Sequence, residues 1–392
     1  MITFEEAIRI VDGQTQAIGK EIALTALRGR VLAGDVHAAF DSPPFDNSAV
    51  DGYGRRAEDL GKEALPLCGS VQAGDDGRLV VPGGAAVRIL TGAPVPPGVA
   101  AVSMQEDCVE SDGIVRFREA SEPGDNIRAA GSDFRKGDLL LRQGTRLNSA
   151  GCGLLASAGV TAVEVTTRPR ITILTTGNEL VEPEKALAAG QIYNSNAVAL
   201  QEFLRSLSAR VHLRHCPDDP EAILTEAAIS LERDDVLVTC GGVSVGSYDF
   251  VKDVFAAAGI VQRFWGVAIK PGKPLYFGTC GHALVFGLPG NPVSALVTSY
   301  LFVRPALLKL QGHPDPWGRP RQARFEGSAR KKPGRLEFLR GDLSPEGLVR
   351  EAGEQGSHQL AALAVANCLI HFPAEATKLM DGDLVQVTPL DW

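Results

Sequence analysis

Two lysines stand three residues apart in Ala268-Ile269-Lys270-Pro271-Gly272-Lys273-Pro274, and the prolines beside them stiffen the turn that carries them. Proline lowers the chain entropy lost when both ammonium groups are held near one anion, so the spacing points to recognition of a phosphate or another oxyanion. A second anion-binding signal is Val236 to Asp249, VLVTCGGVSVGSYD. Its apolar start reads as a buried strand, breaks at Gly241-Gly242, passes a loop containing Ser244 and Gly246, and enters a helix over 248–258 with Asp249 in the first turn. Backbone N–H groups in such a turn, followed by the positive end of a helix dipole, hold an oxyanion without a basic side chain. A strand-to-helix turn on glycine also serves packing alone, so this loop by itself leaves both readings open.

Opposite these cationic groups stand Glu179, Asp219 and Asp249, each just after a strand or at a helix start. Carboxylates facing phosphate-binding loops call for a divalent cation between them, and Mg²⁺ is the economical choice. Plain N-capping explains one such aspartate well but explains all three beside two lysines poorly. A further acidic segment, Phe40 to Gly54 (FDSPPFDNSAVDGYG), abandons periodicity for prolines, aspartates and glycine. A loop of that length is uncommon unless it is functional; its chemistry lies in Asp46 and Asp51, with solvated turn-forming as the alternative. Thr91, ahead of the Gly92-Ala93-Pro94 turn, presents a hydroxyl, and Asn126-Ile127-Arg128 with Gly131-Ser132-Asp133 adds a polar cluster. Cys240 adjoins the glycine loop with no activating histidine close in sequence, which favours a buried thiol over a nucleophile.

The elements that must position these groups alternate along residues 170–310. Strands are predicted at 171–175, 211–215, 236–239 and 283–286, and helices at 197–207, 221–231, 248–258 and 293–304. Such alternation gives a parallel sheet covered on both faces. Ligands then lie at the carboxyl ends of the strands, where Gly177, Gly241 and Gly287 open glycine loops. Upstream, Thr3 and Glu6 form a capping box for an opening helix, and the first forty residues read as helical, as does the segment to Ala158 begun by Asn148 or Ser149. Between them, short β-like runs at 99–104, 113–117 and 138–141 suggest an inserted β region. Residues 312–320, GHPDPWGRP, read as a linker, followed by a small β domain. The resulting division is 1–45 with 142–168 (helical), 46–141 (inserted β), 169–313 (α/β) and 318–392 (C-terminal β).

A chain of 392 residues with 44% apolar residues can bury the cores of several domains. The net charge of -8 argues against nucleic acid as a general partner but leaves room for a small anionic ligand bound by local lysines. Acidic residues stand where a signal peptide would carry basic ones, and no apolar run in the sequence approaches a membrane span, so a cytoplasmic protein without a membrane partner is expected. The seven cysteines lack a CxxC pair, which suggests neither a disulfide framework nor a zinc ribbon.

In this order, FDNSAVDGY, LTGAPVP, TTGNEL, IYNSN, GGVSVGSYDF, KPGKP, GLPGNPVSA and QGSH resemble the molybdopterin molybdenumtransferase family, that of MoeA and the gephyrin E domain, over essentially the whole chain. The resemblance implies a multidomain α/β fold: a three-layer α/β domain with a mostly parallel sheet, an N-terminal helical domain carrying an inserted β domain, and a C-terminal β-barrel. It implies an elongated homodimer that inserts molybdenum from molybdate into adenylated molybdopterin, releasing AMP and molybdenum cofactor with Mg²⁺ assisting. The molybdopterin adenylyltransferase and molybdoenzyme apoproteins are the further partners it suggests. Carried over motif by motif, Asp51 and Thr91 face the partner's α/β domain, where Glu179, Asp219, Asp249, Lys270 and Lys273 form the rest of the site. Gly241, Gly242, Ser244, Gly246, Asn291 and Pro292 bind the ligand, while Arg128, Asp133, Arg340 and Ser357 support it. Glu179, Asp249 and Asp51 are the expected metal ligands, and no covalent nucleophile is expected. One departure stands out: Phe264-Trp265-Gly266 has glycine where the family often carries a basic residue. Two rival readings are the molybdopterin adenylyltransferase itself and a non-catalytic, gephyrin-like scaffold.

Overall fold

The computed structural model describes residues 1–23, 27–241 and 248–392, and the side chains of 248–252 lie outside that description. Helix α1 (Phe4–Gln14) begins with the expected capping box, in which Glu6 N donates to Thr3 Oγ1 at 3.1 Å. Its inward residues Ala7 and Val11 are fully buried.

Helical character ends there, which corrects the expectation for the first forty residues. Lys20–Ala23 is a strand paired antiparallel with Val163–Thr166, and the exchange buries Ala23, Val163 and Val165 with Leu32, Leu147 and Leu155. A four-residue segment gains a full ladder from that partner, whereas an isolated helix of the same length would be unstable. Helix α2 (Ser149–Ser157) forms as expected, with Asn148 Oδ1 accepting from Gly151 N at 2.7 Å. Leu139–Leu141 also differs from expectation, because it pairs with Val36–His37 rather than with the inserted sheet.

That sheet contains β1 (Gly52–Arg56), β2 (Ala64–Val71), β3 (Ala86–Ile89), β4 (Val99–Met104), β5 (Cys108–Ser111) and β6 (Ile114–Phe117), in the order β4-β1-β3-β2-β6-β5. Glycine at 52 is a steric requirement, since a Cβ there would lie 1.9 Å from the Ser103 carbonyl oxygen.

The central sheet joins β7 (Arg170–Thr176), β8 (Arg210–Cys216), β9 (Val236–Cys240), β10 (Val261–Trp265), β11 (Tyr276–Cys280) and β12 (Ala283–Leu288) in the order β8-β7-β9-β12-β11-β10. The first four strands of that order run parallel, whereas β11 runs antiparallel to both β12 and β10. On one face Ile171, Ile173, Val236, Val238 and Phe286 pack with α3 (Ser195–Ser206) and α6 (Pro292–Thr298), and α1 joins the same core. On the other, Leu174, Leu237 and Val285 meet α4 (Pro220–Arg233) and α5 (Tyr248–Ala257). Alternate strand residues thus supply the two interfaces of a three-layer unit.

Residues Pro292–Leu310 form a helical stretch long and apolar enough to cross a membrane, contrary to the expectation from the sequence, and 89% of its apolar window is buried within the fold. After Gly312, β13 (Arg321–Phe325), β14 (Leu336–Leu343), β15 (Leu348–Glu351), β16 (Cys368–Phe372) and β17 (Leu384–Pro389) form a ring in the order β14-β15-β13-β17-β16, closed by β16 pairing with β14. Closure removes the exposed sheet edges. The short strand Ile269–Lys270 adds in parallel to the start of β14, tying the lysine turn to the barrel.

Candidate functional site

Strand register gathers most of the candidate residues on one edge of the central sheet. Thr176 lies level with Cys216, Thr175 with Cys240, and Cys240 with Leu288, so β7, β8, β9 and β12 end together. Because β11 is antiparallel, its first residue Tyr276 pairs with Gly287, and the turn carrying Lys270 and Lys273 enters at that same edge.

Gly241 adopts φ +99°, and a Cβ there would fall 2.7 Å from the Thr176 carbonyl oxygen, so the exit from β9 requires glycine. Asn196 ties this exit to the next one, donating through Nδ2 to the Gly290 carbonyl at 2.7 Å and to Cys240 Sγ at 3.2 Å. Glu179 is exposed and its carboxylate folds back over Gly177, where a Cβ would lie 2.7 Å from Oε2. Asp219 N-caps α4, its Oδ2 accepting from Ala222 N at 2.9 Å, so the capping role holds for this residue. Asp249 falls in the first turn of α5, with its side chain outside the described residues, as are Gly242, Ser244 and Gly246.

Lys270 and Lys273 emerge from a turn pressed onto α6. Gly272 has φ +107°, and a Cβ on it would meet Thr298 Cγ2 at 2.3 Å. Lys273 is exposed. The Lys270 ammonium donates to Glu337 Oε2 on β14 at 3.0 Å. The barrel also sends the 353–359 loop back to the sheet edge: Ser357 Oγ accepts from Asn291 Nδ2 at 3.2 Å, and its carbonyl accepts from Val293 N at 3.2 Å. Pro292 occupies the first turn of α6 at this junction. Arg340 is buried, and its Nη2 donates to the carbonyls of Glu354 and Gly356. Its Nε is buried with no hydrogen-bond partner among the described residues, and burial pulls the guanidinium pKa below its ordinary value. Between turn and barrel lies a cavity of about 230 Å³ walled by Lys270, Arg330, Glu337, Arg340, Glu351 and Gln355.

Gly266 has φ +80°, a conformation that a basic residue would adopt only under strain, and its carbonyl accepts from Ile2 N at 3.2 Å. The neighbouring Arg263 does not replace the missing cation. Its Nε bonds Thr279 Oγ1 at 3.0 Å, and Thr279 pairs with Val261 at the far end of β10.

A second group is assembled in the N-terminal half. Asp51 Oδ1 accepts from Thr91 N at 2.7 Å and from Thr91 Oγ1 at 2.8 Å. These bonds, the backbone one foremost, hold the Asp51 carboxyl below its ordinary pKa, and the charge of Arg88 adds to the effect. Arg128 Nη2 reaches to 3.5 Å of the Ala49 carbonyl in the same loop. Asp133 is exposed on the adjoining turn, its backbone N–H donating to Ser42 O at 2.9 Å. Asp46 is committed to structure, because its Oδ1 accepts from Ala130 N at 2.8 Å. Among the described residues, Asp51, Thr91 and Arg128 share no hydrogen bond or ion pair with residues 169–313.

Cys240 is buried, and desolvation pushes its thiol up to about 12, which removes it as a nucleophile. Among the described residues no three His, Cys, Asp or Glu side chains converge on one point, so the chain supplies no all-protein metal cage there. What it supplies is single hard carboxylates, Glu179 on the sheet edge and Asp51 in the N-terminal half. That donor set fits Mg²⁺ held by one or two carboxylates together with substrate phosphate oxygens. Reasoning from the sequence missed Asn196, Glu337 and Gln355. Asn196 lies inside the IYNSN motif and Gln355 opens the QGSH motif, whereas Glu337 gains its place only through its register with Lys270.

Comparison with known proteins covers nearly the entire chain. Family models match in sequence: the MoeA N-terminal region (domain I and II) at residues 2–159, a probable molybdopterin binding domain at 172–309, and the MoeA C-terminal region (domain IV) at 322–390. The chain is similar to a molybdopterin molybdenumtransferase of Haemophilus influenzae, 40% identical over 92% of this chain and 91% of the relative. It is also similar to molybdopterin molybdenumtransferase 2 of Mycobacterium tuberculosis, 36% identical over 94% of each. Among solved structures, a molybdopterin biosynthesis MoeA protein from Pyrococcus horikoshii aligns over 100% of both chains with TM-score 0.81 and 29% identity.

Proposed function

The chain belongs to the molybdopterin molybdenumtransferase (MoeA) family, and from that premise we infer that it is the enzyme that inserts molybdenum from molybdate into adenylated molybdopterin, releasing AMP. The observation that carries this reading is the meeting of the lysine turn, the Gly241 exit and the barrel's Ser357 loop on one sheet edge. That edge offers what a dianionic, phosphate-bearing substrate needs: ammonium groups, backbone donors and the charge of a neighbouring guanidinium.

In this reading the glycine loop begun by Gly241 holds the substrate phosphates, with Asn291 and Pro292 bordering it. Lys270 and Lys273 neutralise phosphate and molybdate, and Arg340 and Ser357 close the site from the barrel side. Mg²⁺, when bound, neutralises phosphate charge, and Glu179, Asp249 and Asp51 are the residues that would hold it. Rate enhancement comes from positioning and from charge stabilisation in a site that brings the two anionic reactants together. The lack, among the described residues, of any hydrogen bond or ion pair between the Asp51–Thr91 pair and residues 169–313 supports an active site shared across a homodimer, each protomer giving one half. The reading retains the cytoplasmic location expected from the sequence, with the adenylyltransferase as supplier of substrate and molybdoenzyme apoproteins as acceptors of product.

Incubation with adenylated molybdopterin, Mg²⁺ and molybdate, following AMP release and activation of a molybdenum apoenzyme, tests the proposal. Absence of molybdate-dependent AMP release would overturn it. Joining of AMP from ATP to molybdopterin would favour the adenylyltransferase instead.

A further inference from the structure

The barrel residue Glu337 has no role in the reading above, yet its environment is specific. It is a carboxylic acid side chain only 6% exposed, and it sits on β14 in parallel register with Lys270, so backbone pairing alone brings the two side chains to the same place. Their contact is 3.0 Å, with the Lys270 side chain about half exposed at 49% and that of Glu337 nearly enclosed at 8%. A carboxylate desolvated to that degree is costly unless a cation answers it. A second cation near it, Lys331, is committed elsewhere: its Nζ donates to the carbonyls of Arg335 at 2.9 Å and Ala374 at 3.1 Å. Lys270 is therefore the partner to which Glu337 is directed.

We propose that Glu337 is a positioning residue for Lys270, fixing its ammonium at the cavity between the lysine turn and the barrel so that its remaining N–H donors face the incoming oxyanion. An ammonium has three donors. One is occupied by Glu337, and the other two are left for an anion seated beside Arg330 and Arg340, which wall the same cavity. Without this anchor a four-carbon lysine stem samples many rotamers, and ordering it on binding weakens affinity. The inference rests on the proposed function for the identity of the anion, while the anchoring of Lys270 stands on geometry.

The experiment compares the full-length chain with Glu337→Gln, Glu337→Asp, Lys270→Met and the double variant Glu337→Gln/Lys270→Met, each checked for folding by thermal denaturation. Molybdate dependence of AMP release should show a KM for molybdate raised by about tenfold in Glu337→Gln, the scale of one charge-assisted hydrogen bond, with kcat little changed. Glu337→Asp should recover part of that loss, and Glu337→Gln should add nothing in the Lys270→Met background. Independently of any substrate, amine-reactive labelling read by peptide mass spectrometry should accelerate at Lys270 in Glu337→Gln and stay constant at Lys273. Unchanged labelling of Lys270 together with an unchanged KM in folded Glu337→Gln would overturn the proposal, as would an equal KM effect in the Lys270→Met background. If the wild-type chain shows no molybdate-dependent AMP release, the proposed function fails, and the labelling result still decides whether Glu337 anchors Lys270.

Discussion

Asp51 and Thr91 are joined twice: one carboxylate oxygen accepts both the backbone N–H of Thr91, at 2.7 Å, and its hydroxyl, at 2.8 Å. The pair links a long loop to the LTGAP turn and leaves the second carboxylate oxygen without a hydrogen bond among the described residues. Its electrostatic consequence is that Asp51 holds its charge to lower pH than an ordinary aspartate. A carboxylate depressed in this way contributes fully above its unfolded pKa, and that contribution is lost as pH falls through the folded value. Thr91→Val keeps the side-chain shape and the backbone bond but removes the hydroxyl. The acid limb of AMP release should therefore move to higher pH in the variant, with a lowered maximum and an unshifted alkaline limb. A pH profile whose acid limb is unchanged would count against Asp51 as the ionised group.

The exit from β9 gives a stability prediction. Gly241→Ala places a methyl group 2.7 Å from the Thr176 carbonyl oxygen, on a backbone with φ +99°. Strain of that kind costs about 1–3 kcal/mol, and because the displaced segment borders the ligand edge, affinity for the phosphate-bearing substrate should fall as well. Urea denaturation and a substrate titration measure the two effects. Wild-type values in both would show that the turn relaxes without cost.

Residues with local causes were legible in the sequence, and residues placed by distant pairing were not. Thr3 and Glu6 announce α1 because a capping box is complete within four residues. Asp219-Pro220 announces α4 for the same reason. The apolar runs 171–175, 236–239 and 283–286, buried on both faces, read correctly as parallel strands because such strands need no polar alternation. Lys20–Ala23 failed that test, since its strand character comes from Val163–Thr166, more than a hundred residues away. Glu337 shows the same limit within the site: nothing in LEFLRG singles out the glutamate until β14 pairs with Ile269–Lys270. The sequence pattern predicts a helix over 293–304. Its continuation to Leu310 follows from burial between sheet and barrel.

Cys240 invites a different test, because it lies at the head of the glycine loop without contributing chemistry. Its thiol donates to the Pro289 carbonyl at 3.5 Å and accepts from Asn196 at 3.2 Å, within a fully packed strand end. Cys240→Ala should lose about 1 kcal/mol or somewhat more from the small cavity left behind and should retain the kcat of AMP release. Thiol-directed reagents should modify Cys240 only after denaturation. Loss of turnover in a folded Cys240→Ala protein would return the thiol to the list of reacting groups.

The candidate site falls into two groups that share no hydrogen bond or ion pair among the described residues, and this leads to a prediction about assembly. Asp51 and Glu179 stand in parts of one chain that share no hydrogen bond through Asp51, Thr91 or Arg128 among the described residues, yet both belong to the proposed site. If each active site takes Asp51 from one protomer and Glu179 from the other, Asp51→Ala and Glu179→Ala homodimers should both be inactive. Because a two-fold dimer has two equivalent sites, a mixed dimer carrying one lesion per chain concentrates both lesions in one site and leaves the other intact, giving about half of wild-type activity. Co-expression with two affinity tags and sequential purification isolates the mixed species. A site contained within one chain would leave each half of the mixed dimer with one lesion, so an inactive, correctly folded mixed dimer would exclude the shared arrangement.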